Sequence, residues 1–319
     1  MTGWRILITG GAGFIGANLV RRFLTLGAEL HLVVRPEAKR WRLSGLEDHV
    51  TLHPVDVRDG VRVRQAVEAV RPHAVFHLAM PAGHPRTTDE RLEALTVSVM
   101  GTAYLLEAAG AAGTARFVHV GSSLEYEPMA RSLRESDPLR PNTDRGLAKM
   151  LASRLVEFYA RFRGVPAIIL RPFSVYGPWE SPRRFIPTLL RAALRDEEIR
   201  LTAPGYRHDW IFVADVVEAC CRALEASVEP GEAFNIGTGV QWSNEEVVAI
   251  VEALVGRPLR RRIGEYPPSP PDRTCWVAEI EKAQRSLGWS PAWDLPSGLR
   301  ATLTWMQDHL HLYTDDVLA

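Results

Sequence analysis

Seven residues close to the amino terminus, Gly10-Gly11-Ala12-Gly13-Phe14-Ile15-Gly16, and an arginine further along, Arg35, have the types and spacing to hold a phosphorylated ligand. Glycines at 11, 13 and 16 give G-x-G-x-x-G; those at 10, 13 and 16 give G-x-x-G-x-x-G. A turn free of Cβ atoms closes tightly. It lets a pyrophosphate approach the amides at a helix N-terminus, where the backbone dipole favours negative charge. The context is right for such a turn: residues 4–9 read as a short buried strand and residues 14–26 as an apolar-periodic helix. Phe14 and Ile15 thus stand among the amides that face the ligand. A dinucleotide is the ligand this unit implies, and a tight turn without a ligand is the plainer alternative. The second strand, Leu30-His31-Leu32-Val33-Val34, ends at Arg35, about twenty residues beyond the loop, where an acid would hydrogen-bond an NAD ribose. An arginine cannot accept those bonds, but it pairs with a 2′-phosphate and stacks on adenine. Lys39, Arg40 and Arg42 follow. NADP(H) is therefore expected, with NAD the alternative if this is only a solvated basic loop.

These residues need a scaffold, and the rest of the chain supplies one. The 319 residues are 46% hydrophobic, with 38 basic and 38 acidic side chains, enough to bury one large core or two cooperating lobes. Zero net charge gives no bulk attraction to nucleic acid or membrane, so any anion must be recognised locally. Cys220, Cys221 and Cys275 form no disulfide framework, and reduced cytosolic thiols are the default. The first strand starts too soon after Met1 for a signal peptide, and no apolar run approaches the ~20 residues of a membrane span. A cytoplasmic protein is expected. No Cys/His spacing suggests a metal, and no basic stripe interleaved with aromatics suggests nucleic acid.

Strand and helix alternate through the first half. Residues 51–55, 74–78, 116–120 and 167–170 read as strands, with helices over 61–70, up to about 112, and from about 145 to 163. Such alternation predicts an α/β fold, a doubly wound parallel sheet of Rossmann type with ligands at the carboxyl ends of the strands. Past Pro172 prolines multiply, and a smaller, interleaved α/β lobe follows. It contains helices over 185–194, 215–224, 243–255, 279–287 and 297–309, the third opened by the capping box Ser243-Asn244-Glu245-Glu246. The expected division is a cofactor-binding domain over 1–175, with returning segments near 209–240, and a mainly substrate-binding lobe over 176–319.

In this order the motifs resemble the extended short-chain dehydrogenase/reductase superfamily, whose members mostly remodel nucleotide-activated sugars. The likeness spans essentially the whole chain. It rests on residues 10–16, Asp56-Val57, His77-Leu78-Ala79, Gly121-Ser122-Ser123-Leu124-Glu125-Tyr126, Lys149, the stretch from Arg171 to Pro178, residues 235–239 and Leu287-Gly288-Trp289. By that resemblance Asp56 and Val57 hold the adenine, Leu78, Ala79 and Pro172 line the cofactor channel, and Lys149 hydrogen-bonds the nicotinamide ribose. Ser122 contacts the reacting oxygen with Ser123 beside it. A homodimer through the two long helices that bracket the active-site strand is also implied.

Departures from the family pattern narrow the reaction. The tyrosine of Tyr-x-x-x-Lys is replaced by Arg145, which stays protonated and cannot act as a general base. It can polarise a carbonyl or stabilise an alkoxide as a fixed cation. Arg145 and Lys149 also stand one helical turn apart with like charge, which is unfavourable without an anion between them. Where family dehydratases carry an acidic pair, this chain has Ser123 and Leu124, so dehydration and decarboxylation lose support. Carbonyl reduction or epimerisation remains, with Ser122, Tyr126 or a water ordered by Arg145 as proton donor. Substrate-handling positions are altered too: Ser174 stands for Asn, and His208 and Ser269 for Arg. Arg183, Arg184, Arg207 and Arg273 offer guanidinium groups in shifted positions. His84 lies in a loop above the site and is a candidate substrate contact; His77 reads as a packed core residue. The expected substrate is a nucleotide-linked keto-sugar. A ketoreductase for a carbonyl compound without a nucleotide, and a cofactor-binding protein without turnover, are the alternatives.

Overall fold

The computed structural model describes residues 1–81, 83, 85–267 and 273–313. The chain enters as β1 (Arg5–Thr9), α1 (Phe14–Thr25), β2 (Glu29–Val34), β3 (Thr51–Pro54), α2 (Gly60–Val70) and β4 (Ala74–His77). It continues through α3 (Thr88–Leu95), a π-helical stretch, α4 (Gly101–Ala111), β5 (Arg116–Val120), α5 (Asp144–Arg163) and β6 (Ala167–Pro172). Next come β7 (Ser174–Tyr176), α6 (Phe185–Arg195), β8 (Ile199–Leu201), β9 (Arg207–His208), β10 (Trp210–Phe212), α7 (Val213–Glu225) and β11 (Ala233–Ile236). The chain closes with β12 (Trp242–Ser243), α8 (Asn244–Val255), β13 (Arg261–Ile263), α9 (Glu281–Leu287) and α10 (Leu295–His309).

Seven strands form one sheet in the order β11-β6-β5-β4-β1-β2-β3, every pairing parallel. Buried on both faces, all of these strands but the edge strand β3 are largely apolar. Period-two alternation sends Ile6, Ile8, Phe76, Val118 and Ile168 to a layer with Leu19, Val20 and Phe23 of α1 and Val216 and Cys220 of α7. Leu7, Val33, Val75, Phe117 and Ile169 go to the opposite layer, with Val63 and Val67 of α2, Leu105 of α4 and Val156 of α5. Each of these fully buried aliphatic or aromatic side chains contributes about 1.5–3 kcal/mol. A third apolar cluster joins α6, α8 and α10 to β8 and β10.

The small strands pair as β7 with β10, β9 with β12 and β8 with β13. At two or three residues each most carry no legible period; only β10 lies in a segment, residues 209–213, that the sequence marks as strand-like. One expectation is corrected. Thr88–Ala111 is long and apolar enough to cross a membrane by length and composition alone, with half of its most apolar window buried. Its apolar residues serve the layer shared with α2 and α5.

Candidate active site

The candidate residues of the first half follow the carboxyl ends of β1 to β6, except Arg145 and Lys149, which α5 supplies. The turn after β1 uses the glycines at 10, 13 and 16. Gly10 has φ of 74° and lies against the Leu78–Ala79 backbone, and a Cβ on Gly16 would run into the Gly10 carbonyl. Gly13 caps α1 with no side-chain hydrogen bond, and the first turn carries no acid. The leading amides of the helix, those of Phe14, Ile15 and Gly16, are thereby left without an intrahelical acceptor. An uncapped, Cβ-free helix start fits a pyrophosphate.

Arg35 follows the end of β2, exposed, and pairs with Glu93 at 3.3 Å and Glu37 at 3.6 Å. Asp56 is engaged by Arg58, whose guanidinium lies 2.5 Å away and holds the carboxyl below its ordinary range. Arg35, Pro81, Gly83, Glu90 and Glu93 line one cavity of about 250 Å³. Val57 is buried against Gly101. Arg40 precedes a short 3₁₀ turn, and Arg42 donates to the Trp179 carbonyl at 2.7 Å, so its charge is committed to packing. Pro172 is buried at the end of β6.

After β4 the loop passes over the turn: Ala79 N donates to Thr9 Oγ1 at 3.3 Å. Arg145, in the first turn of α5, reaches this loop and gives Nη1 hydrogen bonds of 3.0 Å to the carbonyls of Pro81 and Gly83. Thr143 caps α5 through the Gly146 amide at 3.0 Å, and Gly146 is required because a Cβ there would collide with the Leu124 carbonyl. That close approach sets α5 against the Ser122–Glu125 turn. Burial and the nearby Arg184 push Arg145 down to about 10, with no carboxylate among the described residues offsetting them. Lys149 is buried one turn later, and its Nζ donates to Val120 O at 2.6 Å. Burial, then Arg145, lower it to about 7 against a weaker opposing pull from Glu125.

Ser122 is half-buried and accepts from Leu124 N at 3.2 Å, leaving its own O–H to donate. Its amide is held at 2.8 Å by Glu125 Oε1. Glu125 is fully buried and pairs with Arg171 at 2.9 Å. Sequence reasoning missed this pair; a charged residue, Arg171, within the otherwise apolar strand β6 was the available signal. Ser123 and Tyr126 are turned away from the open face. Ser123 is buried with Oγ accepting from Trp276 Nε1 at 3.1 Å. Tyr126 is buried, donates to Asn235 Oδ1 at 2.7 Å and accepts from Arg171 at 3.1 Å, and burial pushes its hydroxyl up. The structure thus corrects the candidacy of Tyr126 as a proton donor: its proton is committed inside the protein. His77 is a core residue, bonded to Thr9 at 2.7 Å and Thr102 at 2.8 Å, and burial lowers it to about 3.

Ser174 and His208, both candidate substrate-handling positions, meet at 3.3 Å. Arg207 pairs with Glu246 at 3.0 Å, Arg273 donates to Asn142 Oδ1 at 2.6 Å, and the Arg207 amide donates to the Arg273 carbonyl at 2.7 Å. Arg183 is exposed, two residues before α6. His84 and Ser269 lie outside the described residues. Among the described residues no His/Cys/Asp/Glu group has the arrangement of a metal site.

Comparison with known proteins follows the same lines. A family model described as "NAD dependent epimerase/dehydratase family" matches residues 6–237. The dTDP-glucose 4,6-dehydratase of Xanthomonas campestris pv. campestris is 28% identical, covering 94% of this chain and 92% of that protein. The UDP-glucose 4-epimerase of Mycolicibacterium smegmatis is 29% identical, covering 95% and 99%. Among solved structures, the Thermus thermophilus UDP-glucose 4-epimerase in complex with NAD superposes with a TM-score of 0.84 at 28% identity, covering 95% of this chain and 99% of that one.

Proposed function

The chain belongs to the NAD dependent epimerase/dehydratase family, and from that premise we propose that it reduces a nucleotide-linked keto-sugar, or epimerises a nucleotide-linked sugar, with a nicotinamide cofactor. One continuous set of contacts carries the reading. Gly10 packs on Ala79, Arg145 grips the loop two residues on at Pro81, and Lys149 on the same helix ties to Val120, two residues before Ser122. The glycine turn and the candidate chemistry therefore share one end of the sheet. When bound there, the nicotinamide supplies or accepts hydride. Gly10, Gly13 and Gly16 with the first amides of α1 would hold the pyrophosphate, and Lys149 the ribose. The Ser122 hydroxyl donates to the reacting oxygen, and Arg145 adds a fixed positive charge that favours an oxyanion. The dehydratase relatives do not carry over easily, because Leu124 has no acid–base chemistry and Ser123 is bonded to Trp276.

Arg35 supports NADP(H) over NAD, since a 2′-phosphate can take over its pairs with Glu93 and Glu37. The NAD complex of the Thermus relative supports NAD as the second reading. A homodimer is also inferred: α5 exposes Leu147, Leu151, Phe158 and Phe162 at helical spacing along one face, Phe162 at 71%. Sedimentation at micromolar concentration should give twice the chain mass.

Incubating the protein with NADPH or NADH and a panel of nucleotide 4-keto-sugars tests the activity. Cofactor consumption with a keto-sugar, or interconversion of nucleotide-sugar epimers with catalytic NAD(P)⁺ and no net consumption, either one disappearing in Ser122→Ala, is the expected result. Consumption with a carbonyl compound lacking a nucleotide favours the simpler ketoreductase. Tight cofactor binding with no consumption of any substrate identifies a protein without turnover and overturns the proposal.

A further inference from the structure

The guanidinium of Arg145 is only half spent. Both N–H bonds of Nη1 go to backbone carbonyls, those of Pro81 and Gly83. Those bonds lock the plane of the group. The opposite edge, Nε with Nη2, makes no hydrogen bond among the described residues. That edge presents two parallel donors, the geometry that a planar carboxylate or a phosphate accepts in bidentate fashion. Among the described residues the charges that act on it are cationic. Lys149 follows on the same helix and Arg184 lies near enough to depress Arg145. Glu180, the partner of Arg184 at 3.6 Å, is itself buried and pushed up to about 8, so it cancels little of this field. A half-buried cation with an unused fork and cationic neighbours is costly unless a ligand brings the anion.

We propose that Arg145 is a receptor for a carboxylate on the sugar ring, so that the substrate is a nucleotide-linked uronic acid or its keto derivative. The inference rests on the nucleotide-sugar reading above and names the substrate class within it. Two oxyanions offer the same chemistry, a sugar carboxylate and the diphosphate. The carboxylate is favoured by place: the fork stands one helical turn from Lys149, on the helix whose Gly146 packs on the Leu124 carbonyl two residues from Ser122, where the reacting carbon belongs. A carboxylate on the ring carbon next to the reacting one keeps the guanidinium beside the developing oxyanion, so the two roles of Arg145 are compatible.

Titration calorimetry on the full chain saturated with NADP⁺ or NAD⁺ distinguishes the two sources. The probes are UDP-glucuronate, UDP-glucose and UDP, with the dTDP counterparts beside them because the base is open. The wild type should bind the uronate about ten- to a hundredfold tighter than the hexose. Arg145→Gln should erase that preference while leaving UDP and UDP-glucose within about twofold, and Arg145→Lys, which keeps the charge, should retain part of it. Equal binding of uronate and hexose by the wild type overturns the inference and leaves the nucleotide-sugar reading standing. So does an Arg145→Gln variant weakened equally toward all three probes, because the fork then holds phosphate. Binding of cofactor without any of the nucleotides overturns both.

Discussion

Replacing Arg145 by glutamine should raise the pKa of Lys149 by about one to two units. Both residues lie in α5 at i and i+4, a spacing that puts side-chain origins about 5–6 Å apart. With charges roughly 7 Å apart and an effective dielectric of about 20, the repulsion is about 2.4 kcal/mol, or about 1.7 pKa units. Burial persists in the variant, so Lys149 should move from about 7 part of the way toward its ordinary value. The assay is unusually clean, because the chain has only three lysines, Lys39, Lys149 and Lys282. Protein labelled with ¹³C-lysine gives three side-chain signals, assignable with Lys39→Arg and Lys282→Arg, and the Cε shift is followed against pH. Glutamine keeps a donor for the Pro81 and Gly83 carbonyls, so loss of the loop anchor is minimised. A Lys149 midpoint that does not move, or that falls, refutes the claim that the arginine sets the state of the lysine.

Four further outcomes follow from the same structure. Gly16→Ala drives a Cβ into the Gly10 carbonyl, so the turn must open, and titration by reduced-nicotinamide fluorescence should show cofactor affinity reduced at least about tenfold, with a lower Tm, for a strain of about 1–3 kcal/mol. Arg35→Asp should shift the NADPH-to-NADH affinity ratio toward NADH by about tenfold or more, read by the same titration. Arg171→Met strands the buried Glu125 carboxylate, and urea unfolding should show a loss of about 3–5 kcal/mol. Glu180 is held near 8 by burial, so its folded pKa lies above the unfolded one. Its contribution is fully present below about 4.5 and is lost as pH rises through 8; Glu180→Gln should therefore gain stability relative to wild type at pH 9 compared with pH 5, and an unchanged difference refutes it.

The parallel sheet and its helices were readable because each element is long enough to show its period, and because the glycine turn fixes where the first strand ends. The capping box at Ser243 likewise located α8 at its true start. Local patterns could not show which distant groups would meet. Glu93 lies 58 residues from Arg35 and reaches it only because α3 folds back over the ends of the strands. Ser122, Glu125 and Arg171 form one clamp from two segments. Tyr126 looked available for proton transfer only while Asn235 and Arg171 were unplaced. Arg145 stood out in the sequence as a cation one helical turn before Lys149, but its orientation depends on two backbone carbonyls, which carry no residue-type signal.

The same arginine makes the direction of the pH profile diagnostic of the reaction. Epimerisation must first oxidise an alcohol, whose O–H proton needs an acceptor. Arginine cannot supply one, and Tyr126 is committed elsewhere. Neutral Lys149, formed above about 7, is the candidate acceptor. An epimerase should then show a single-turnover hydride-transfer rate that rises with pH through that value. Reduction instead delivers a proton to the oxygen, and the ammonium form of Lys149 supplies it below the same pKa, so a reductase should lose rate as pH rises. Stopped-flow absorbance of the reduced nicotinamide separates the two by sign alone. In Arg145→Gln either inflection should move upward with the lysine midpoint. A rate flat between about pH 6 and 9 in both proteins would remove Lys149 from the proton path and leave Ser122 with solvent as the remaining route.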